Sequence, residues 1–218
     1  MKRKDLLELI EEGENLQIEF KRKFSSPEKI AREMIAFANT KGGYIIFGVD
    51  DDKTVVGVES EKSEAELIKD AAKTFCEPPI DYELSYIDLE GKEIVVAEIP
   101  ESYNKPHRLQ DYLINFDINK AVILIRVNDK SIQASKEMVR IMRADADNLV
   151  LTKYSIGHNE KKVFDYLADN ETISVKELSN LVNISERRAS RTLVKLVRAK
   201  LLAIHTKDNG EEFFTAVG

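Results

Sequence analysis

Two adjacent glycines, Gly42 and Gly43, separate a helical stretch from a continuous apolar run, and this junction constrains the fold more than any other feature of the 218-residue chain. Upstream, Ser26-Pro27 marks a helix start: a hydroxyl able to cap free N–H groups, then a proline at the first helical position, where a missing N–H costs nothing. The helix is expected to run to about Ala38, with Met34, Ile35, Phe37 and Ala38 on its inner side. Downstream, Tyr44 to Val49 is apolar throughout and of strand length, as expected of a central strand covered on both faces. Paired glycines permit the chain reversal between helix and strand that a Cβ would resist. Asp50, Asp51 and Asp52 follow as a turn. The chain contains no GxxxxGK[ST] or GxGxxG segment, so the glycine pair reads as a turn rather than a phosphate loop.

The flanking segments predict a mixed α/β layer structure. Lys4 to Glu12 reads as a helix ending at Gly13. Leu16, Ile18 and Phe20 alternate with Gln17 and Glu19, the period of a strand with one buried face, which points Glu19 away from that face. Thr54 to Val58 is expected as a returning strand. Ser63-x-x-Glu66 reads as a capping box for a helix to Phe75, stopped by Pro78-Pro79. Tyr82 to Asp88 and Lys92 to Ile99 form a hairpin turning at Gly91. Pro100 to Asn119 reads as a long irregular loop of the kind that carries function; in it Lys105, His107 and Arg108 could meet phosphate or be ordinary surface charge. Ala121 to Val127 is a further strand, Asn128 to Ser131 a turn, and Ser135 caps a helix to Arg143.

The last third has a different plan. A helix from Asn159 to Ala168 precedes the capping box Ser174-x-x-Glu177, which opens a short helix through Val182. Asn183-Ile184 turns, and Ser185 starts a third helix to Ala199. Leu202 to Thr206 and Glu212 to Val217 make a hairpin around Asp208-Asn209-Gly210, read as a two-residue Asn-Gly turn. Three helices and a hairpin are the elements of a winged helix-turn-helix. At about 100° per residue, Arg187, Arg198, Arg191, Lys195 and Arg188 fall within a sector of about 100° on the third helix, opposite Leu196, Ala189, Leu193 and Val197. Val194 is the exception, lying near the basic side. A basic face opposite an apolar face fits insertion into a DNA major groove, with Lys207 on the hairpin and Ser190 as further contacts; a solvated face on a protein-binding module is the alternative.

Charge places the domain boundary. The net charge is −6, but from Ser155 onward ten Lys and Arg meet nine Asp and Glu, so the acidity lies upstream. This predicts an N-terminal α/β domain over 1–150 and a DNA-binding domain over 155–218, divided near Tyr154. With one cysteine, Cys76, an intramolecular disulfide or a thiolate metal cluster within the chain is excluded, and His107, His158 and His205 lack metal-ligand spacing. No apolar run is long enough to span a membrane and the first residues do not read as a signal peptide, so a cytoplasmic protein is expected.

Candidate chemistry in the first domain is confined to carboxylates. Glu14, Glu19 and the aspartates Asp50, Asp51 and Asp52, if they converged, could hold Mg²⁺ or Mn²⁺ and activate water for phosphodiester cleavage; Glu14 must then lie in a turn before the strand carrying Glu19. The bland reading is an acidic turn, with Glu19 paired to Lys21 or Lys23.

The segments GENLQIEFK, AFANTKGGYIIFGVDDD, IPESYNKPHR and ILIRVNDKSIQASKEM, in that order, resemble the Schlafen/AlbA-type DNA-binding domain of many bacterial and archaeal regulators, over about Asp5 to Met142. The resemblance implies an α+β domain that assists nucleic-acid binding or dimerisation, often followed by a winged helix, in a transcriptional regulator. Some animal Schlafen proteins carry an RNase site of three acidic residues in the corresponding motifs, which here maps to Glu14, Glu19 and Asp50 or Asp51. Older descriptions of the family also suggest a divergent ATPase. The reading that results is a homodimeric DNA-binding transcriptional regulator with no cofactor, RNA being the alternative nucleic acid. The runner-up is a metal-dependent RNase or DNase using Glu14, Glu19 and Asp50 or Asp51.

Overall fold

The computed structural model describes residues 1–112, 117–118, 120–146 and 156–217. The chain divides into two compact units, Met1–Gln133 and Ala134–Gly218. The expected boundary at 150/155, near Tyr154, lies outside the described residues. The observed division comes earlier and assigns the helix after Ser135 to the second unit, because that helix packs on the helix Glu186–Arg198 of that unit.

The first unit is built on a four-stranded sheet in the order β1 (Ile18–Lys21), β2 (Gly43–Phe47), β5 (Lys92–Ile99), β4 (Glu83–Leu89). β1 runs parallel to β2, with Ile18 opposite Tyr44, and β5 is antiparallel to both β2 and β4. Helix α1 (Arg3–Glu12) covers one face through Leu6 and Ile10, which pack with Ile18, Phe20, Ile46, Ile94 and Val96. The other face is covered by α2 (Pro27–Asn39) and α3 (Glu61–Thr74), whose apolar sides pack on Ile45, Phe47, Val95 and Ala97. β2 is therefore buried on both sides, as its unbroken apolar sequence requires.

The glycine junction works by proximity as much as by conformation. Gly42 has φ +68°, and a Cβ there would lie 2.6 Å from the carbonyl oxygen of Ile99. A Cβ on Gly43 would lie 2.5 Å from the carbonyl oxygen of Gln17 and from the Phe37 ring. Ser26 caps α2 by accepting from the Lys29 N–H, as its sequence predicts.

Three expectations for this unit change. Thr54 to Val58 is no strand: Val56 and Gly57 both donate to the Gly48 carbonyl, so the chain curls around Gly48 and keeps one bridge, Val49 to Val55. Helix α3 is capped by Ser60 rather than Ser63, three residues earlier than the capping box suggests. Ala121 to Val127 is extended only over β7 (Leu124–Val127), which pairs with β8 (Lys130–Gln133), where a turn was expected; the reversal is at Asn128, φ +53°. Within the long segment from Pro100, the part among the described residues holds β6 (Arg108–Leu109), paired with β3 (Cys76–Glu77).

The second unit contains α4 (Lys136–Ala146), α5 (His158–Asp169), α6 (Val175–Leu181), α7 (Glu186–Arg198) and a hairpin of β9 (Leu202–Thr206) and β10 (Glu212–Ala216). Ile173 bridges to Phe214, joining the chain before α6 to the hairpin. Val163, Ile173, Leu178, Ala189, Leu193, Leu196, Leu202 and Phe214 form the unit's own core. The capping box at α6 makes both of its bonds: Glu177 N–H donates to Ser174 Oγ at 3.2 Å, and Ser174 N–H to Glu177 Oε2 at 2.7 Å. The hairpin turn differs from the two-residue Asn-Gly form. Lys207 N–H donates to the Glu211 carbonyl and Gly210 N–H to the Lys207 carbonyl, closing a loop over 208–210 with Gly210 at φ +84°.

Candidate nucleic-acid interface

The open side of α7 is basic because the opposite side is consumed by the core. Ala189, Leu193 and Leu196 are buried against the rest of the unit, which turns Arg187, Arg188, Arg191 and Lys195 outward, and all four are exposed. Arg198 is half-buried. Basic residues in the last turn, Lys195 and Arg198, also suit the negative end of the helix dipole. Val194, the apolar residue near the basic side, is explained by α4, which packs against α7 and buries it.

Ser190 does not join the open strip. Its side is occupied by α4, leaving it 3% exposed; its hydroxyl donates to the Glu137 carboxylate and accepts from Arg140 Nη1 at 2.7 Å. A sequence angle places Ser190 beside the basic sector, but it cannot report a helix 50 residues upstream that covers it. Lys207 is exposed, 3.6 Å from Glu211, with its ammonium 5.9 Å from the centre of the Phe213 ring.

The hairpin side has the opposite electrostatic character. Glu137, Glu177, Glu186, Glu211 and Glu212 share a cleft of about 560 Å³ with Lys176 and Lys207. Burial pushes the Glu212 carboxyl up to about 7, against a lowering hydrogen bond from Ser135 and with Glu137 raising it further. The potential over this unit thus favours an anion along α7 and disfavours one beside the hairpin.

In the first unit Glu14, Glu19 and Asp50 are each engaged by donors of the fold. Glu14 lies in the turn before β1 and accepts from the Phe20 N–H at 2.9 Å. Its carboxyl is held above the usual range by burial, with Glu19 and Asp51 adding to the rise. Glu19 points away from the α1 side of the sheet, as the alternation predicts, but that second face is also covered, so it is only 8% exposed. Lys21 donates to Glu19 Oε1, and Arg126 Nη1 donates to Oε2 at 2.9 Å. Asp50 accepts from Arg22 at 2.7 Å, and Asp51 is exposed. Among the described residues, no three His, Cys, Asp or Glu side chains are grouped to hold one metal ion.

Arg126 is the residue that sequence reasoning missed. Its side chain is 1% exposed. Beyond Glu19 it donates to Glu33 Oε2 at 3.3 Å, to Ser131 Oγ at 3.3 Å and, through Nη2, to the Asn15 carbonyl at 2.7 Å. It also lies 4.7 Å over the Phe37 ring. The Glu33 carboxyl is raised by burial and by Glu19. A charged residue inside an apolar strand, Leu124-Ile-Arg-Val, was the available signal.

Asn39 makes a second buried junction. Its amide donates to the carbonyls of His107 at 2.8 Å and Leu124 at 3.0 Å, and its Oδ1 accepts from the His107 N–H at 2.8 Å. The buried His107 ring lies between the Pro78 carbonyl and Ser102 Oγ, each 2.7 Å away, and its burial lowers its pKa. Lys105 donates to the Thr40 carbonyl and to Glu101, and Arg108 to the Leu109 carbonyl and Asp111. The polar residues of the long loop brace it.

Comparisons with known proteins place the chain. An uncharacterized ATP-binding protein of Ureaplasma parvum serovar 3 is 37% identical over 87 residues, 37% of this chain and 24% of that protein, so the chain spans about a quarter of that relative's length. A solution structure of the N-terminal domain of a RecG-related protein from Nitrosomonas europaea matches with 21% identity and a TM-score of 0.41, over 59% of this chain and 91% of that one. The DIP2311 protein of Corynebacterium diphtheriae matches with 13% identity and a TM-score of 0.46, over 92% of this chain and 34% of that one. No helix among the described residues is long and apolar enough to cross a membrane. The model of the Schlafen, AlbA_2 family matches residues 14–135, more than half of the chain and nearly the whole first unit together with its glycine junction, and the chain belongs to that family.

Proposed function

We propose that the protein is a cytoplasmic, homodimeric DNA-binding transcriptional regulator whose second unit is a winged helix-turn-helix. The observation that carries this reading is the exposed strip Arg187, Arg188, Arg191 and Lys195 on α7, backed by a buried apolar face. In the winged-helix arrangement α7 enters the major groove. Arg187, Arg188 and Arg191 lie nearest base edges, and Lys195, Arg198 and Lys207 nearer phosphate. The first unit supplies dimerisation or additional nucleic-acid contact. The Ureaplasma relative is called ATP-binding; this chain has no GxxxxGK[ST] or GxGxxG segment.

Binding of labelled duplex DNA by the full chain tests the reading. Affinity should fall with salt at about 0.9 log units per log unit for each neutralised phosphate. The double substitution Arg188→Ala, Arg191→Ala should weaken binding at least 10-fold, since each bidentate base contact contributes about 1–3 kcal/mol. Salt-independent binding, or a double variant that binds like the parent, counts against it.

A second reading, a Mg²⁺- or Mn²⁺-dependent RNase or DNase, is favoured by the neighbourhood of Glu14, Glu19 and Asp51 and opposed by the neutralisation of Glu19 by Arg126 and Lys21. It requires cleavage of RNA or DNA that EDTA abolishes and that Glu19→Gln removes; intact substrate after incubation with Mg²⁺ or Mn²⁺ disposes of it.

A further inference from the structure

We infer that α4 belongs to the DNA-binding surface, and that the groove between α4 and α7 seats the phosphodiester backbone of duplex DNA, with Arg140 and Arg143 supplying phosphate contacts. The inference rests on the reading of α7 as the DNA-contacting helix. It adds two cations from outside the three-helix-and-hairpin motif, on a helix for which the sequence suggested no role in binding.

Three observations support it. First, where α4 packs on the Ser190 and Val194 side of α7, the two helices leave a groove of about 400 Å³. Its floor includes Val194 and Ala144; its walls carry Arg140 and Arg143 from α4 and Arg191 and Lys195 from α7. No carboxylate lines it, whereas five line the cleft beside the hairpin. Like charges gathered in a groove raise its potential for an anion well above that of scattered surface charge.

Second, Arg191 and Lys195 line both this groove and a recess of about 340 Å³ at the start of α5, where Arg188 joins them and Glu160 is the one carboxylate. The cations therefore form a continuous track across α7. Such a track suits a linear polyanion with apolar sugars between its charges, the sugars lying on Val194 and Ala144, better than a compact ion.

Third, Arg140 is pre-oriented. Its Nη1 donates to Ser190 Oγ at 2.7 Å and to Glu137 Oε1 at 3.4 Å, an ion pair that leaves its other N–H groups on the groove. An arginine has five N–H donors in a rigid fork, so one fixed nitrogen sets the plane of the group while leaving donors for phosphate. Ser190 thus becomes a positioning residue for a phosphate contact. Arg143, one helical turn further along α4, is exposed.

The test is a salt titration of duplex binding by fluorescence anisotropy, using the full chain and two 30-base-pair duplexes of unrelated sequence. Arg143→Ala should lower the salt slope by about 0.9, and Arg140→Ala with Arg143→Ala by about 1.8. For the double variant, the loss of affinity between 0.05 and 0.2 M salt should then be about 12-fold smaller than for the parent. The weakening should be equal on the two duplexes, because phosphate contacts carry no sequence information. Arg140→Ala can also loosen α4 from α7, so the exposed Arg143 decides: Arg143→Ala and Arg143→Glu should both weaken binding at unchanged melting temperature. A parent that binds duplex while both Arg143 variants keep its slope and affinity overturns this inference alone. A parent that binds no duplex at low salt overturns the α7 reading with it.

Discussion

Arg126 shows how a single buried charge organises the first unit. Its guanidinium joins β7 to β1 through Glu19, to α2 through Glu33 and Phe37, and to the turn before β1 through the Asn15 carbonyl. Removing one member of such a cluster leaves its partner buried and uncompensated, which costs about 3–5 kcal/mol. Arg126→Met should accordingly lower the stability of the chain by about 3 kcal/mol in urea unfolding, Lys21 offsetting part of the loss at Glu19. Adding Glu19→Gln to Arg126→Met should cost less than the sum of the two single changes. A loss below about 1 kcal/mol for Arg126→Met would show that the cluster does not hold the unit together. The signature Phe37-Ala-Asn-Thr-Lys-Gly-Gly43 has the same structural character: Phe37 lies beneath Arg126, Asn39 binds the loop, Thr40 Oγ1 accepts from the Arg126 N–H, and the two glycines admit neighbouring backbone.

At the scale of elements, the link between the hairpin and α4 is pH-sensitive. Ser135, which caps α4 by accepting from the Met138 N–H, also donates to Glu212 on β10. The Glu212 carboxyl is raised from 4.5 to about 7 in the folded state. The folded form therefore holds a proton that the unfolded form has released. The resulting stability is fully present below about pH 4.5, declines as pH rises, and is gone above about 7. Glu212→Gln, which stays neutral, should melt at a temperature that falls less than the parent's between pH 5 and pH 8, by an amount equivalent to about 1–2 kcal/mol after allowance for partial exposure. Parallel melting curves across that range would remove the effect. Most elements were legible because they have local causes: Ser26-Pro27 for α2, Ser174-x-x-Glu177 for α6, and the apolar run of β2. Those that were misread depend on distant partners. The chain after Gly48 curls because its N–H groups find the Gly48 carbonyl, and β8 begins at Lys130, so the turn after β7 ends two residues before the expected Ser131 end. The basic strip of α7 could be read from helical period alone; the burial of Ser190 and the Arg126 cluster could not, since their partners lie 50 or more residues away.

For the whole molecule, the arithmetic of charge and valency matters. On the proposed function, a chain with net charge −6 would bind DNA through a local field, here the strip on α7 set against the acidic cleft by the hairpin. The second unit has its own core, so Ala134–Gly218 expressed alone should fold and bind duplex. If the first unit supplies the dimer, that piece should sediment as a monomer and bind a two-site duplex about 10²–10⁴-fold more weakly than the full chain, the usual gain from linking two sites. Equal affinity for piece and full chain would place dimerisation elsewhere or nowhere. The Asn39 junction has a counterpart in exchange with solvent: the His107 N–H sits in a loop yet donates to a buried side chain. Its deuterium uptake should be as slow as that of the central strands, marking a segment that looks irregular as part of the last region to open.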